Sequence, residues 1–148
     1  MIDNVKINVK KLNPMAIIPT RAHSTDAGLD LYACTGEKII IAPHQTIKVS
    51  TGLAIELPDG YFGAVFARSG LATKQGLRPA NAVGVCDSSY RGEYIVALHN
   101  DTDIPQMINP MERIAQLVVM PYLPVELVEV DELSDTERGA GGFGSSGK

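Results

Sequence analysis

No window of this chain sustains the i, i+3, i+4, i+7 apolar repeat of an amphipathic helix, and Pro43, Pro58, Pro79, Pro105, Pro110, Pro121 and Pro124 fall where a long helix would be broken. Short β-type runs bounded by turn residues recur instead, at 5–9, 30–33, 38–41, 46–55, 63–67, 82–86, 94–98, 113–120 and 125–130. That spacing predicts an all-β sandwich or barrel. The one helix it leaves room for is short, near residues 70–74.

At 148 residues the chain is the size of one domain with a real core, and its 45% hydrophobic and 20% charged composition is that of an ordinary soluble protein. No apolar run approaches the roughly 18 residues of a membrane span. The opening MIDNVKINVKKL lacks the apolar core of a signal peptide, so the expected location is cytoplasmic, with the nucleus or a virus-infected cell also open. Cys34 and Cys86 have no metal-ligand spacing and read as buried, inert thiols. A net charge of −4 with scattered lysines and arginines excludes a general nucleic-acid binder, so any phosphate is held at a few local points.

The organisation expected is a body over 1–137 and a tail over 138–148. The tail, RGAGGFGSSGK, has five glycines and almost no apolar anchor. Composition alone makes it a flexible terminus. Arg138 and Phe143 add a cation and a ring, which suit a strip that closes over a ligand. The string from Gly142 to Lys148 matches the start of a P-loop only superficially, because no Ser or Thr and no helix follow it.

Three segments carry candidate chemistry. GVCDSSYRGE (84–93) reads as the bend of a β-hairpin that aims Asp87 and Tyr90 at one pocket. Asp87 could polarise a water for attack on phosphorus or merely cap its own turn, and Tyr90 could stack on a sugar or be an ordinary hairpin aromatic. ARSGLA (67–72) ends a strand and starts the short helix, so Arg68, Ser69 and Gly70 form either a phosphate cradle or a serine N-cap beside a surface arginine. In AGLDLYA (27–33), Asp30 reads first as a structural carboxylate, then as a group orienting an arginine or an indirect partner of a solvated metal. His23, His44 and His99 lack metal-type spacing and are assigned no chemistry.

Taken in order, AGLDLYA, ARSGLA, GVCDSSYRGE, ERIAQL and RGAGGFGSSG resemble the five motifs of the homotrimeric deoxyuridine triphosphatases, the dUTPases, and span 27–147. The resemblance implies a jelly-roll subunit of the β-clip type and a trimer with three sites at its subunit interfaces. It also implies hydrolysis of dUTP to dUMP and pyrophosphate with Mg²⁺, which limits uracil incorporation into DNA and supplies dUMP for thymidylate synthesis. No nucleic acid or membrane partner is implied.

Carried over by residue, the resemblance makes Asp87 the carboxylate that activates water for attack on the α-phosphorus. Tyr90 would stack on the deoxyribose and exclude a 2′-hydroxyl, while Asn81 and backbone groups near Gly84, Val85, Cys86 and Ile95 read the uracil edge. Arg68, Ser69 and Gly70 would hold the triphosphate, with Gln116 helping from another subunit. From the closing tail, Phe143 would cover the uracil, Arg138, Ser145 and Ser146 would hold terminal phosphates, and Gly144 would also contact substrate. Mg²⁺ would be held by the phosphates with no direct protein ligand, Asp30 acting at most through water.

Cys86 departs from the aliphatic residue usual in the family, Ser89 from a frequent second acid, and Ser146 from a common threonine. Three other functions fit parts of the same sequence less well. A nucleotide sensor built on the same trimer would bind dUTP with hydrolysis secondary. A dCTP deaminase would differ around the phosphate-binding serine. A structural jelly roll gives no reason for Asp87, Tyr90, Arg138 and Phe143 to occur together.

Overall fold

The computed structural model describes residues 5–147. Eleven strands and one helix form among them. The order is β1 (Asn8–Lys11), β2 (Leu29–Tyr32), β3 (Ile39–Ile41), β4 (Thr46–Ser50), β5 (Leu53–Glu56), β6 (Tyr61–Phe66), α1 (Ser69–Gln75), β7 (Leu77–Pro79), β8 (Gly84–Cys86), β9 (Ile95–Asn100), β10 (Gln106–Ile108) and β11 (Arg113–Pro121). The fold is all-β, as the punctuated short runs predict. No helix among the described residues is long and apolar enough to cross a membrane.

Two main antiparallel sheets carry the core, one ordered β2-β11-β6-β8 and the other β4-β9-β7, with the pairs β1-β5 and β10-β3 completing the wall. β11 is the longest strand and pairs on both sides, so its inward Ile114 and Leu117 are almost completely buried. Strand periodicity explains the packing of β9, where Val96, Leu98 and Asn100 turn inward and alternate with more exposed residues. Asn100 is polar yet fully buried, and its amide donates to the carbonyls of Ile41, Ala42 and Ile104 while its oxygen accepts from Thr102 N at 2.9 Å and Thr102 Oγ1 at 2.7 Å. An apolar residue there would leave those carbonyls short of a donor, at about 1–3 kcal/mol for an unsatisfied buried group.

The run at 46–55 is not one strand. It breaks at Thr51 and Gly52 because Gly52 takes φ +68, and a Cβ there would sit 2.9 Å from Ala16 Cβ and 3.0 Å from Cys34 Sγ. β4 therefore pairs with β9 while β5 pairs with β1. The expected hairpin around GVCDSSYRGE also fails, since β8 pairs with β6 and β9 pairs with β4 and β7. Residues 87–94 consequently cross from one main sheet to the other. The expected strand at 125–130 has no ladder, and its side chains are exposed, with Leu127 at 93%. A strand needs a neighbour, and no described part of this chain supplies one.

Candidate active site

The crossing between sheets builds a cavity. Asp87 and Tyr90 close a turn through the Tyr90 N–H to Asp87 carbonyl bond of 3.1 Å, and the Tyr90 hydroxyl donates to the Glu93 carbonyl at 2.8 Å. Gly92 has to be glycine here, because a Cβ would come within 2.6 Å of the Tyr90 ring. Arg91 ties the outside of the loop down, donating to the Ser88 carbonyl at 2.6 Å and to Glu56 at 3.0 Å. Behind this loop lies a cavity of about 290 Å³ lined by Pro79, Asn81, Gly84, Val85, Cys86, Asp87, Tyr90, Glu93, Tyr94 and Ile95, among others. The fold thus brings Asp87, Tyr90, Asn81, Gly84, Val85, Cys86 and Ile95 to one place.

Among the described residues the Asp87 carboxylate accepts no hydrogen bond, so the self-capped turn is not what forms; backbone groups close it instead. Asp87 also borders a second opening of about 480 Å³ formed by Phe62, Val85, Ser88, Ser89 and Tyr122. This exposed carboxylate between two cavities is open to water. Beneath it, burial pushes the Cys86 thiol above its ordinary range, partly opposed by the Tyr94 hydroxyl and reinforced by the Asp87 charge. Burial likewise raises Tyr94, whose hydroxyl lies beside that thiol without a hydrogen bond of good geometry. Cys86 is a protonated, soft wall.

A polar cavity of about 370 Å³ is lined by Asp26, Gly28, Asp30, Arg68, Ser69, Gly70 and Gln116, together with Ala22 and Ala27. Arg68 is the residue before α1, in extended conformation and with no side-chain cap, so Ser69 opens the helix rather than capping it. Asp30 is held between Arg68 Nε at 2.9 Å and Arg113 Nη1 at 3.3 Å, and it thereby aims Arg68 at the cavity. These pairs fit both its structural reading and its reading as a group that orients an arginine. Gln116 sits opposite both Asp30 and Phe66 in the ladder and donates to the Ala67 carbonyl at 2.8 Å. It therefore shares the cavity with Arg68, Ser69 and Gly70 of its own chain, which corrects the expectation that it reaches them from another subunit.

The two cavities share no lining residue. The tail joins neither of them. Arg138 Nε donates to the Gly141 carbonyl at 2.9 Å, Phe143 is fully exposed, and Gly144, Ser145 and Ser146 lie at the surface. Lys148 and residues 1–4 lie outside the described residues. Sequence reasoning missed Glu93, which lines the first cavity and is fixed by residues more than forty positions away; the GE of YRGE carries no local sign of this. It also missed Asp26, in the second.

No group of three or more His, Cys, Asp or Glu able to hold a metal occurs among the described residues. The second cavity offers oxygen donors from Asp26, Ser69 and Gln116, which fit a hard cation brought in on phosphates, while both Asp30 oxygens are paired with arginines.

The dUTPase family model matches residues 15–147. The deoxyuridine 5′-triphosphate nucleotidohydrolase of Hydrogenobaculum sp. (strain Y04AAS1) is 48% identical over 143 residues, covering 97% of this chain and 99% of that one. The enzyme of the same name from Nautilia profundicola is 47% identical over 144 residues, covering 97% of this chain and all of the other. Among solved structures, the dUTPase of Staphylococcus bacteriophage 80alpha with dUPNHPP superimposes with a TM-score of 0.89 at 32% identity, covering 98% of this chain and 100% of that chain. A variant dUTPase of phage phi11 of S. aureus, described with a structural Mg(II) ion, gives 0.79 at 26% identity and covers 88% of this chain and 100% of its own. With most of its length matched and the curated relatives covered nearly end to end, this chain belongs to the dUTPase family.

Proposed function

We propose that this protein hydrolyses dUTP to dUMP and pyrophosphate, with Asp87 activating the water that attacks the α-phosphorus. The observation that carries this reading is an exposed Asp87 carboxylate, with no hydrogen-bond partner among the described residues, at the mouth of a cavity walled by Asn81, Gly84, Cys86, Tyr90 and Ile95. Asp87 takes a proton from water, the water oxygen bonds to the α-phosphorus, and the bond from that phosphorus to the bridging oxygen breaks to release pyrophosphate. Strand-held groups around Gly84 and Ile95 cannot rotate to suit cytosine. Tyr90, pinned through its hydroxyl, lies against the sugar.

The triphosphate occupies the cavity of Arg68, Ser69, Gly70 and Gln116, where Arg68 is already oriented by Asp30. A Mg²⁺ bound there would be held chiefly by the phosphates and, through water, by Asp30, and would neutralise charge on the departing pyrophosphate.

The protein functions as a homotrimer in which one subunit's nucleoside cavity meets another's phosphate cavity. Two features support this. The cavities do not join within one chain, and the segment after β11 exposes Leu123, Leu127 and Leu133 at 80%, 93% and 86%, an apolar surface that suits a neighbouring subunit. Arg138, Phe143, Gly144, Ser145 and Ser146 then close over the bound nucleotide, and the glycines between them permit that closure.

Pyrophosphate release from dUTP, UTP, dCTP and dTTP with Mg²⁺ tests the activity. Fast release selective for dUTP is expected. Tight dUTP binding without release would identify a nucleotide sensor, and ammonia released from dCTP would identify a deaminase.

A further inference from the structure

Three consecutive residues, Ser50 at the end of β4 and Thr51 and Gly52 in the turn to β5, grip the end of the active-site loop. Ser50 Oγ and the Gly52 N–H, the latter at 2.7 Å, both donate to the same oxygen of Glu93, Oε1. Between them, Thr51 Oγ1 donates to the Tyr94 carbonyl at 2.5 Å, and the Tyr94 N–H returns to the Leu53 carbonyl at 2.8 Å. This turn has little freedom of its own. Thr51 is 1% exposed, and Gly52 holds its positive φ against Ala16 and Cys34.

Glu93 passes that rigidity on. Its carboxylate is fixed to the turn, and its carbonyl, on the same residue, receives the Tyr90 hydroxyl at 2.8 Å. The Tyr90 ring is itself 44% exposed, packed at 6.1 Å against Tyr94 and otherwise bordering the open cavity. A half-exposed ring on a surface loop keeps one position only if its hydroxyl is held. Here the acceptor that holds it is fixed by a half-buried carboxylate with two donors.

We propose that Glu93 is a positioning residue for Tyr90, and that it sets the discrimination between deoxyribonucleotide and ribonucleotide substrates. This rests on the reading that Tyr90 lies against the sugar. Excluding a 2′-hydroxyl is a steric task and needs the ring within a fraction of its own thickness of one position. Once Glu93 no longer anchors the loop, the ring can retreat and admit UTP. Both donors converge on one oxygen, so a glutamine, whose carbonyl can accept both, preserves the geometry that alanine destroys.

The test is kcat/KM for dUTP and for UTP in the full-length wild type, Glu93→Ala, Glu93→Gln, Ser50→Ala and Tyr90→Ala, with thermal melting to confirm folding. In Glu93→Ala the UTP:dUTP ratio is expected to rise by about tenfold or more, within the range a sterically selective pocket commands. Glu93→Gln should return most of the lost selectivity, and Ser50→Ala should shift the ratio in the same direction by less. If Glu93→Ala does not fold, Ser50→Ala decides the matter, since it removes one of the two donors that hold the same carboxylate oxygen. An unchanged ratio in the folded Glu93→Ala and Ser50→Ala variants, with a raised ratio in Tyr90→Ala, would overturn the inference and leave the Tyr90 reading standing. An unchanged ratio in Tyr90→Ala would remove that reading, and the inference with it.

Discussion

Replacing Asp87 with asparagine should leave dUTP bound and slow its turnover by about a hundredfold or more, the low end of what a positioned general base contributes. Asparagine keeps the size and planarity of the side chain but cannot accept the proton from water. The carboxylate has no hydrogen-bond partner among the described residues, so nothing in the fold depends on it, and melting should match the wild type. That combination separates loss of chemistry from loss of structure. Equilibrium binding of a non-hydrolysable dUTP analogue and single-turnover release of pyrophosphate measure the two halves. Retained turnover would remove Asp87 from the role.

Deleting residues 138–148 should produce the second large effect, a fall in kcat/KM of about a hundredfold with the body intact. The hydrogen bonds of the described tail residues run only among 136–147, and apart from half-buried Gly141 residues 138–147 are exposed, so the sheets lose nothing. What is lost, on the proposed function, is closure: Arg138 on the phosphates and Phe143 over the base. Misplacement of bound groups by about 1 Å can alone cost that much. Restoring the tail while changing only Arg138 to alanine should recover part of the rate. Full activity in the truncated protein would show that closure belongs elsewhere.

The reach of sequence reasoning followed the range of the interactions. β11 was readable because RIAQLVVM is a long, mostly apolar run between Pro110 and Pro121, and α1 because the ARSGLA segment at the end of a strand carries the residues that open a helix. β7 and β10 were missed since their three residues, LRP and QMI, form no apolar run of the kind that marks III in the equally short β3. The break at Gly52 and the failure of the hairpin after Cys86 both come from strands choosing distant partners, β1 and β6, which no local window contains. Asp87, Tyr90 and Arg68 stood out as chemistry within turns. Glu93 did not, because its partners Ser50 and Gly52 lie across the fold.

Gln116 illustrates the same limit from the other side. Its motif pointed to the phosphates, but only the register of β11 against β2 and β6 puts it beside Arg68 in the same chain. The run at 125–130 had the apolar content of a strand and none of its pairing, and its side chains stay exposed in this chain.

The most direct test is hydrolysis of dUTP in water enriched in ¹⁸O, followed by mass spectrometry of both products. Attack on the α-phosphorus by a water held on Asp87 places the label in dUMP and leaves pyrophosphate unlabelled. Label in pyrophosphate would mean attack on the β-phosphorus and would contradict the proposed position of Asp87 in the reaction.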